Sequence, residues 1–329
     1  MKHWTLLLCA ALTGTPALAA KTTFTYLRVG NTTDATHVTL QGGVALMGGY
    51  ADVDPAFQWL CNRSSGGDFL VLRATGTDDY NTYVQQLCPN ANSVATLILP
   101  SRRAAMEPGA AALIRQAETL FIAGGDQSNY INDWTGTPVQ TALQERIDAG
   151  APVGGISAGL NVLTQFVYSA LGSKGVTSSQ ALADPYNRYL TLARDFLQVD
   201  NLGAVLGDAH FSARDRMGRD LAFLCRLYQA GWSTQPRVIA VDEETALVVD
   251  AGGEATVMGP GAVYFEQAPG APEVCAPETP LTYRNVAIYR VKAGGSYHLP
   301  SWSGSGGTAF AVSAESGVLT STQPGGSAY

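Results

Sequence analysis

Charge is scarce in this sequence. Asp, Glu, Lys and Arg make up only 14% of its 329 residues, and the balance is acidic, with 27 carboxylates against 20 Lys and Arg. So few cations cannot build the broad basic face that neutralises a phosphate backbone, which argues against nucleic acid and anionic membranes as partners. Long apolar runs are missing as well. A membrane span takes about 20 consecutive apolar residues, and no stretch reaches that length. Histidine is rare, at four residues, and no two cysteines have C-x-x-C spacing, so neither a zinc site nor any cofactor is expected.

The N-terminus is where the sequence first becomes specific. Residues 1–20, MKHWTLLLCAALTGTPALAA, combine a basic start at Lys2 and His3, an apolar stretch from Trp4 to Leu12 and small residues at Ala17 and Ala19. That is the pattern of a secretory signal peptide. The mature chain is therefore expected to be exported, to the periplasm or beyond the cell. Cys9 would leave with the signal. Cys61, Cys88, Cys225 and Cys275 would then reach a compartment where thiols oxidise, and four cysteines permit three pairings. The pairing adopted is Cys61 with Cys88 and Cys225 with Cys275.

Short apolar runs alternate with amphipathic ones through the first half. GGVALMGG (42–49), DFLVLRA (68–74), SVATLILP (93–100), TLFIAGG (119–125) and APVGGIS (151–157) read as buried strands. Between them PAFQWLCNR, NTYVQQL, EPGAAALIRQA and TPVQTALQERIDAG read as helices. This alternation predicts an α/β fold with a parallel, doubly wound sheet covered by helices on both faces. Ligands of such sheets collect at the carboxyl ends of the strands, where Gly48–Gly49, Gly124–Gly125 and Ser157 all fall. From RVIAVDEETALVVD (237–250) onward the strands are closely spaced, predicting an antiparallel extension of the same sheet. The expected division is a catalytic domain at 21–265, then a loop and C-terminal β extension of that domain at 266–329.

Two segments carry candidate chemistry. GGISAG places Ser157 at a strand-to-helix turn with Gly155 and Gly159 in the two glycine positions of a G-x-S-x-G elbow, beside the positive end of a helix. The motif alone leaves two readings open, a nucleophile or a plain helix cap. DAHFSARDRMGRD (208–220) sets His210 ahead of Arg214, Arg216 and Arg219. Three cations beside a rare histidine suit an anion-binding site, although the same arginines on a helix surface would simply be solvated.

GGDQ (124–127), GGISAGL (154–160) and DAHFSARDRMGR (208–219) resemble, in order and separation, the signature segments of the cyanophycinases and their relatives in serine peptidase family S51. The resemblance runs from roughly residue 40 to residue 290. It implies a sheet akin to class I glutamine amidotransferases, flavodoxin-like in its layers, and a homodimer. It implies that Ser157 is the nucleophile, His210 the general base, and the backbone N–H groups of Gly125 and Ala158 the oxyanion hole. Gln127, Asp208, Arg214, Arg216 and Arg219 match polar positions around the substrate pocket. The implied activity is that of an exported serine hydrolase releasing β-Asp-Arg from cyanophycin through an acyl-enzyme. Other aspartyl or isoaspartyl peptides are the alternative substrates, and a binding protein without the chemistry is the alternative class.

The chain departs from that pattern twice. Where the family's triad carboxylate is expected, in GVTSSQALADPYNRYL, the matching position is Gln180. Three readings follow: Gln180 orients His210 as an amide, Asp184 supplies the carboxylate, or the protein is a weak or inactive relative. Tyr50 stands where relatives tend to have a third glycine and is expected to wall the pocket. For a substrate guanidinium, Asp208, Glu243 and Asp126 are the candidate partners.

Overall fold

The computed structural model describes Met1 and residues 23–329. The expected signal peptide, Met1 apart, and Cys9 lie outside the described residues. The strands run in chain order as β1 (Thr25–Gly30), β2 (Val44–Met47), β3 (Asp68–Arg73), β4 (Ser93–Ile98), β5 (Thr119–Ile122), β6 (Val153–Ile156), β7 (Phe166–Tyr168), β8 (Leu192–Arg194) and β9 (Val205–Asp208). They continue as β10 (Arg237–Val241), β11 (Ala246–Val249), β12 (Glu254–Met258), β13 (Ala262–Gln267), β14 (Tyr283–Lys292), β15 (Ser296–His298), β16 (Ser303–Ser305), β17 (Thr308–Glu315) and β18 (Val318–Ser321).

The five strands anticipated from the apolar runs form a parallel block, β4-β3-β5-β6-β2, in a ten-stranded sheet. Period-two alternation decides what each face meets. Val44 and Leu46 of β2 pack with the helices Pro108–Arg115 and Pro138–Asp148, whereas Ala45 and Met47 face Asp54–Arg63 and Asp79–Leu87. Helices therefore cover both faces of this block. Its strand order differs from the 2-1-3-4-5 of flavodoxin, because β2, the first parallel strand in the chain, lies at the end of the block beside β6.

Only part of the second half extends that sheet. β11, β12, β15 and β16 add to it beyond β2, antiparallel, while β10, β13, β14, β17 and β18 join β7, β8 and β9 in a separate eight-stranded sheet. The single extended sheet read from the sequence is thus two sheets. They share one core: Val44, Leu46 and Leu247 of the first sheet pack with Val205, Ile239, Val241 and Val263 of the second. The helix Met217–Gln229 covers the other face of the second sheet through Leu221, Leu224 and Leu227. The 265/266 division falls inside β13, whose partners β10 and β14 lie on either side of it in the chain. Cys61 pairs with Cys88 and Cys225 with Cys275, with Cα separations of 6.1 and 6.2 Å that suit a disulfide, and this is the pairing adopted from the sequence. No helix among the described residues is long and apolar enough to cross a membrane.

Candidate active site

Five strand ends meet at one place. β2, β5 and β6 run parallel and end at Gly48–Gly49, Gly124–Gly125 and Ser157; β9 and β10 of the second sheet run parallel and end beside His210 and Glu243. Backbone hydrogen bonds stitch the two sheets here: His210 N–H donates to the Gly48 carbonyl at 2.8 Å, Glu244 N–H to Gly49 at 2.9 Å, and Gly48 N–H to Thr245 at 2.8 Å.

Ser157 sits at the turn between β6 and the short helix Ala158–Asn161 without capping that helix. Its backbone sits at φ 54°, ψ −114°. Such a conformation costs an L-residue of order 1–3 kcal/mol and persists only where the surroundings enforce it. The enforcing contacts are glycine contacts. A Cβ at Gly155 would stand 2.5 Å from the carbonyl carbon of Gly159, and one at Gly159 would strike the Ile122 carbonyl. Both glycines let the short helix press onto β5 and β6. The hydroxyl thus released from capping meets an imidazole: Ser157 Oγ lies 2.7 Å from His210 Nε2.

The other ring nitrogen, Nδ1, lies 2.7 Å from Glu243 Oε1. His210 is buried, and Glu243 is 23% exposed. Burial pushes the imidazole below its usual range; the hydrogen bond to Glu243 pulls the other way, and the positive charges of Arg214 and Arg216 add to the lowering. The ring is therefore neutral near pH 7, with one nitrogen free to accept a proton. With Glu243 accepting from Nδ1–H, that free nitrogen is Nε2, which faces Ser157. Gly49 makes the approach possible, because a Cβ there would lie 2.6 Å from Nε2 and 3.1 Å from Ser157 Cβ.

Gln180 is not part of this array. It is the N3 residue of the helix Ser178–Ala183, where Thr177 N–H donates to its Oε1 at 3.1 Å and its own N–H donates to Thr177 Oγ1, a complete capping box. Asp184 is committed elsewhere too, accepting from the backbone N–H groups of Tyr186 and Glu278. The carboxylate beside His210 is Glu243, expected from the sequence only as a partner for a substrate guanidinium. Its signal was present in VDEETALVV, but the turn there looked like a plain hairpin connection.

A cavity of about 220 Å³ opens over Ser157 and His210, lined also by Gly125, Gln127, Asn161, Lys174 and the three arginines. A larger surface hollow, about 530 Å³, lies beside Cys61 and Cys88 and holds none of these groups. Arg219 donates twice to Asp208, and Arg216 donates to Asp208 at 3.0 Å and to the Ala209 carbonyl at 2.6 Å. Burial alone would raise the Asp208 carboxyl, but the two guanidiniums outweigh it and hold it below the usual range. Two neighbouring buried acids behave oppositely. Burial, reinforced by the charge on Asp208, pushes Asp220 and Glu266 well above the ordinary range, which favours their neutral forms.

Arg214 is the exposed member, 54% accessible, with Nε 3.6 Å from Glu243 Oε1. Gln127 donates to the Tyr168 carbonyl at 3.2 Å, and Asp126 caps its helix by accepting from Ser128 N–H. Asp208 and Asp126 are thereby engaged within the protein. Gly125 and Ala158 flank Ser157, the first at the mouth of the cavity and the second at the first position of the short helix. Tyr50 follows Gly49 with φ 72° and 79% exposure, standing free at the surface rather than lining the cavity.

The profile of peptidase family S51 matches residues 47–182 of this chain, a span that includes Ser157. Over that span the chain resembles that family, and the cyanophycinases within it. The cyanophycinases of Trichormus variabilis and of a Nostoc species are each 28% identical to it over 219 residues. That alignment takes in 64% of this chain and 66% of each relative, so the chain matches just under two thirds of their length. Among solved structures, a peptidase from an acI-B1 actinobacterium superposes with a TM-score of 0.52 at 18% identity, over 80% of this chain and 98% of the other. At that identity the likeness speaks for the fold, a mixed α/β arrangement.

Proposed function

We propose that the protein is an exported serine-type hydrolase that cleaves peptide or isopeptide bonds next to aspartyl units, in the manner of the cyanophycinases it resembles. The observation that carries this reading is the unbroken chain from Ser157 Oγ through the two nitrogens of His210 to Glu243, with both links at 2.7 Å. In the proposed cycle Ser157 Oγ attacks the acyl carbon while its proton passes to Nε2, and Glu243 steadies the imidazolium that forms. The oxyanion is received by the N–H groups of Ala158 and Gly125. The imidazolium then protonates the leaving amine, leaving an acyl ester on Ser157. A water molecule, giving its proton to His210, hydrolyses that ester to the free acid and restores the hydroxyl.

The cationic wall of Arg214, Arg216 and Arg219 suits a substrate with carboxylates near the cleaved bond. The Glu243 carboxylate 2.7 Å from His210 Nδ1 supports an active hydrolase over an inactive relative. Export rests on the pattern of residues 1–20 and agrees with two disulfides; a homodimer rests on the family resemblance alone. The test is release of β-Asp-Arg from cyanophycin, with β-aspartyl dipeptides assayed in parallel, by mature protein beside Ser157→Ala. Product from the wild type alone supports the reading, and its preference between polymer and dipeptide chooses the substrate. Equal behaviour of the two proteins refutes it.

A further inference from the structure

One polar group in the cavity wall has no counterpart in this chemistry. Asn161 lies one helical turn beyond Ser157, its N–H donating to the Ser157 carbonyl, and it lines the same cavity. The residue is 3% exposed, yet its Oδ1 has no hydrogen-bond partner. A buried carbonyl oxygen left in that state costs the fold free energy that an apolar residue of the same size would not. Several other cavity groups are engaged within the protein: Arg216 and Arg219 hold Asp208, Gln127 holds the Tyr168 carbonyl, and Ser157 holds His210.

We propose that the Asn161 carboxamide is a substrate-binding group, accepting a hydrogen bond from the nitrogen carried by the acyl half of the substrate, the α-amino or amide N–H of an aspartyl unit. The inference deepens the hydrolase reading above and rests on it. The acyl carbon must sit at Ser157 Oγ, and the substrate atoms just beyond it enter the cavity whose walls are cationic on the arginine side. An aspartyl unit bears an oxygen group and a nitrogen on one α-carbon. The arginines take the first, and among the cavity-lining residues the buried acceptor left without a partner for the second is Asn161 Oδ1. No partner fixes the amide, and the last torsion of asparagine is soft, so Oδ1 turns to the incoming donor at small cost. Selectivity follows from the same physics: a site that leaves an acceptor buried rejects an analogue lacking the donor much more strongly than it rejects a shape change.

The test compares two ligands in the Ser157→Ala background, where neither is consumed. β-Aspartyl-arginine carries the α-amino group; succinyl-arginine is the same molecule without it. Binding is measured by calorimetry, and stability by thermal melting. The expected result is that β-aspartyl-arginine binds about 10- to 100-fold tighter, the range for a charge-assisted bond to a buried acceptor. Adding Asn161→Leu brings the ratio close to one without lowering the melting temperature, and Asn161→Asp, which keeps an acceptor, retains the preference. An unchanged ratio in Asn161→Leu overturns the inference and leaves the hydrolase reading standing. So does a marked drop in its melting temperature, which would make the amide a structural group. If neither ligand binds the Ser157→Ala protein, the aspartyl-substrate reading itself falls, and this inference with it.

Discussion

Removing the charge on Glu243 while keeping its shape is the most telling perturbation of the site. In Glu243→Gln the amide oxygen still accepts from Nδ1–H, so the tautomer of His210 and the 2.7 Å contact to Ser157 survive. What is lost is the attraction between the carboxylate and the imidazolium formed during attack. For unit charges about 4 Å apart at an effective dielectric near 20 that attraction is about 4 kcal/mol, equivalent to roughly 10³-fold in rate. The partial exposure of Glu243 trims this, so a fall in kcat of about 10²- to 10³-fold is expected. The companion variant is Gln180→Ala. It breaks a capping box at the protein's surface and should cost about 1 kcal/mol of stability, leaving kcat within about twofold. Both are read from initial rates on the best-cleaved aspartyl substrate and from denaturant melts. If Gln180→Ala abolishes turnover and Glu243→Gln spares it, the triad has been assigned to the wrong carboxyl-side residue.

Three more outcomes follow from the same geometry. Gly49→Ala should cut activity by about 10²-fold or more, since its methyl displaces the imidazole from Ser157 by the distance on which such penalties arise; near wild-type rates would contradict the packing. Ser157→Gly should be more stable than Ser157→Ala by about 1–2 kcal/mol in urea melts, because both lose the hydroxyl but only glycine is relaxed at this φ; the reverse order would mean the turn is unstrained. In the pH profile, activity should rise with pH through an apparent pKa below 6.5, as the neutral ring is the active form. Arg214→Ala removes a positive charge that disfavours the imidazolium, so this acid limb should move to higher pH; a move to lower pH would be the wrong sign.

Strands were legible where the chemistry of burial is simple. VALM, FLVLR and TLFI read as apolar runs because parallel strands are covered on both faces, and the ends of VALM, TLFI and VGGI put Gly49, Gly125 and Ser157 at one edge. Ser157 and His210 were singled out by motif, and motif spacing carries no coordinate, so only the fold could bring two residues 53 positions apart to a 2.7 Å contact. Glu243 was missed for a topological reason. RVIAVDEETALVVD reads as two strands joined by a tight turn, as in a hairpin within one sheet. Instead β10 belongs to the second sheet and β11 to the first, and the crossing turn at 242–245 is carried over the imidazole. Gln180 misled for the opposite reason. Thr177-x-x-Gln180 is a capping-box sequence, a local role that outweighs the position the family resemblance implied. The helix Met217–Gln229 was obscured by its arginines, since Arg219 points inward to Asp208 instead of outward to water.

The central claim is that Ser157 is a hydroxyl activated by His210. Intact-mass analysis of the folded mature protein after treatment with a fluorophosphonate probes it directly. The account predicts a single adduct, mapping to Ser157, that is absent in His210→Ala. An unmodified wild type, or equal modification of both proteins, would contradict it.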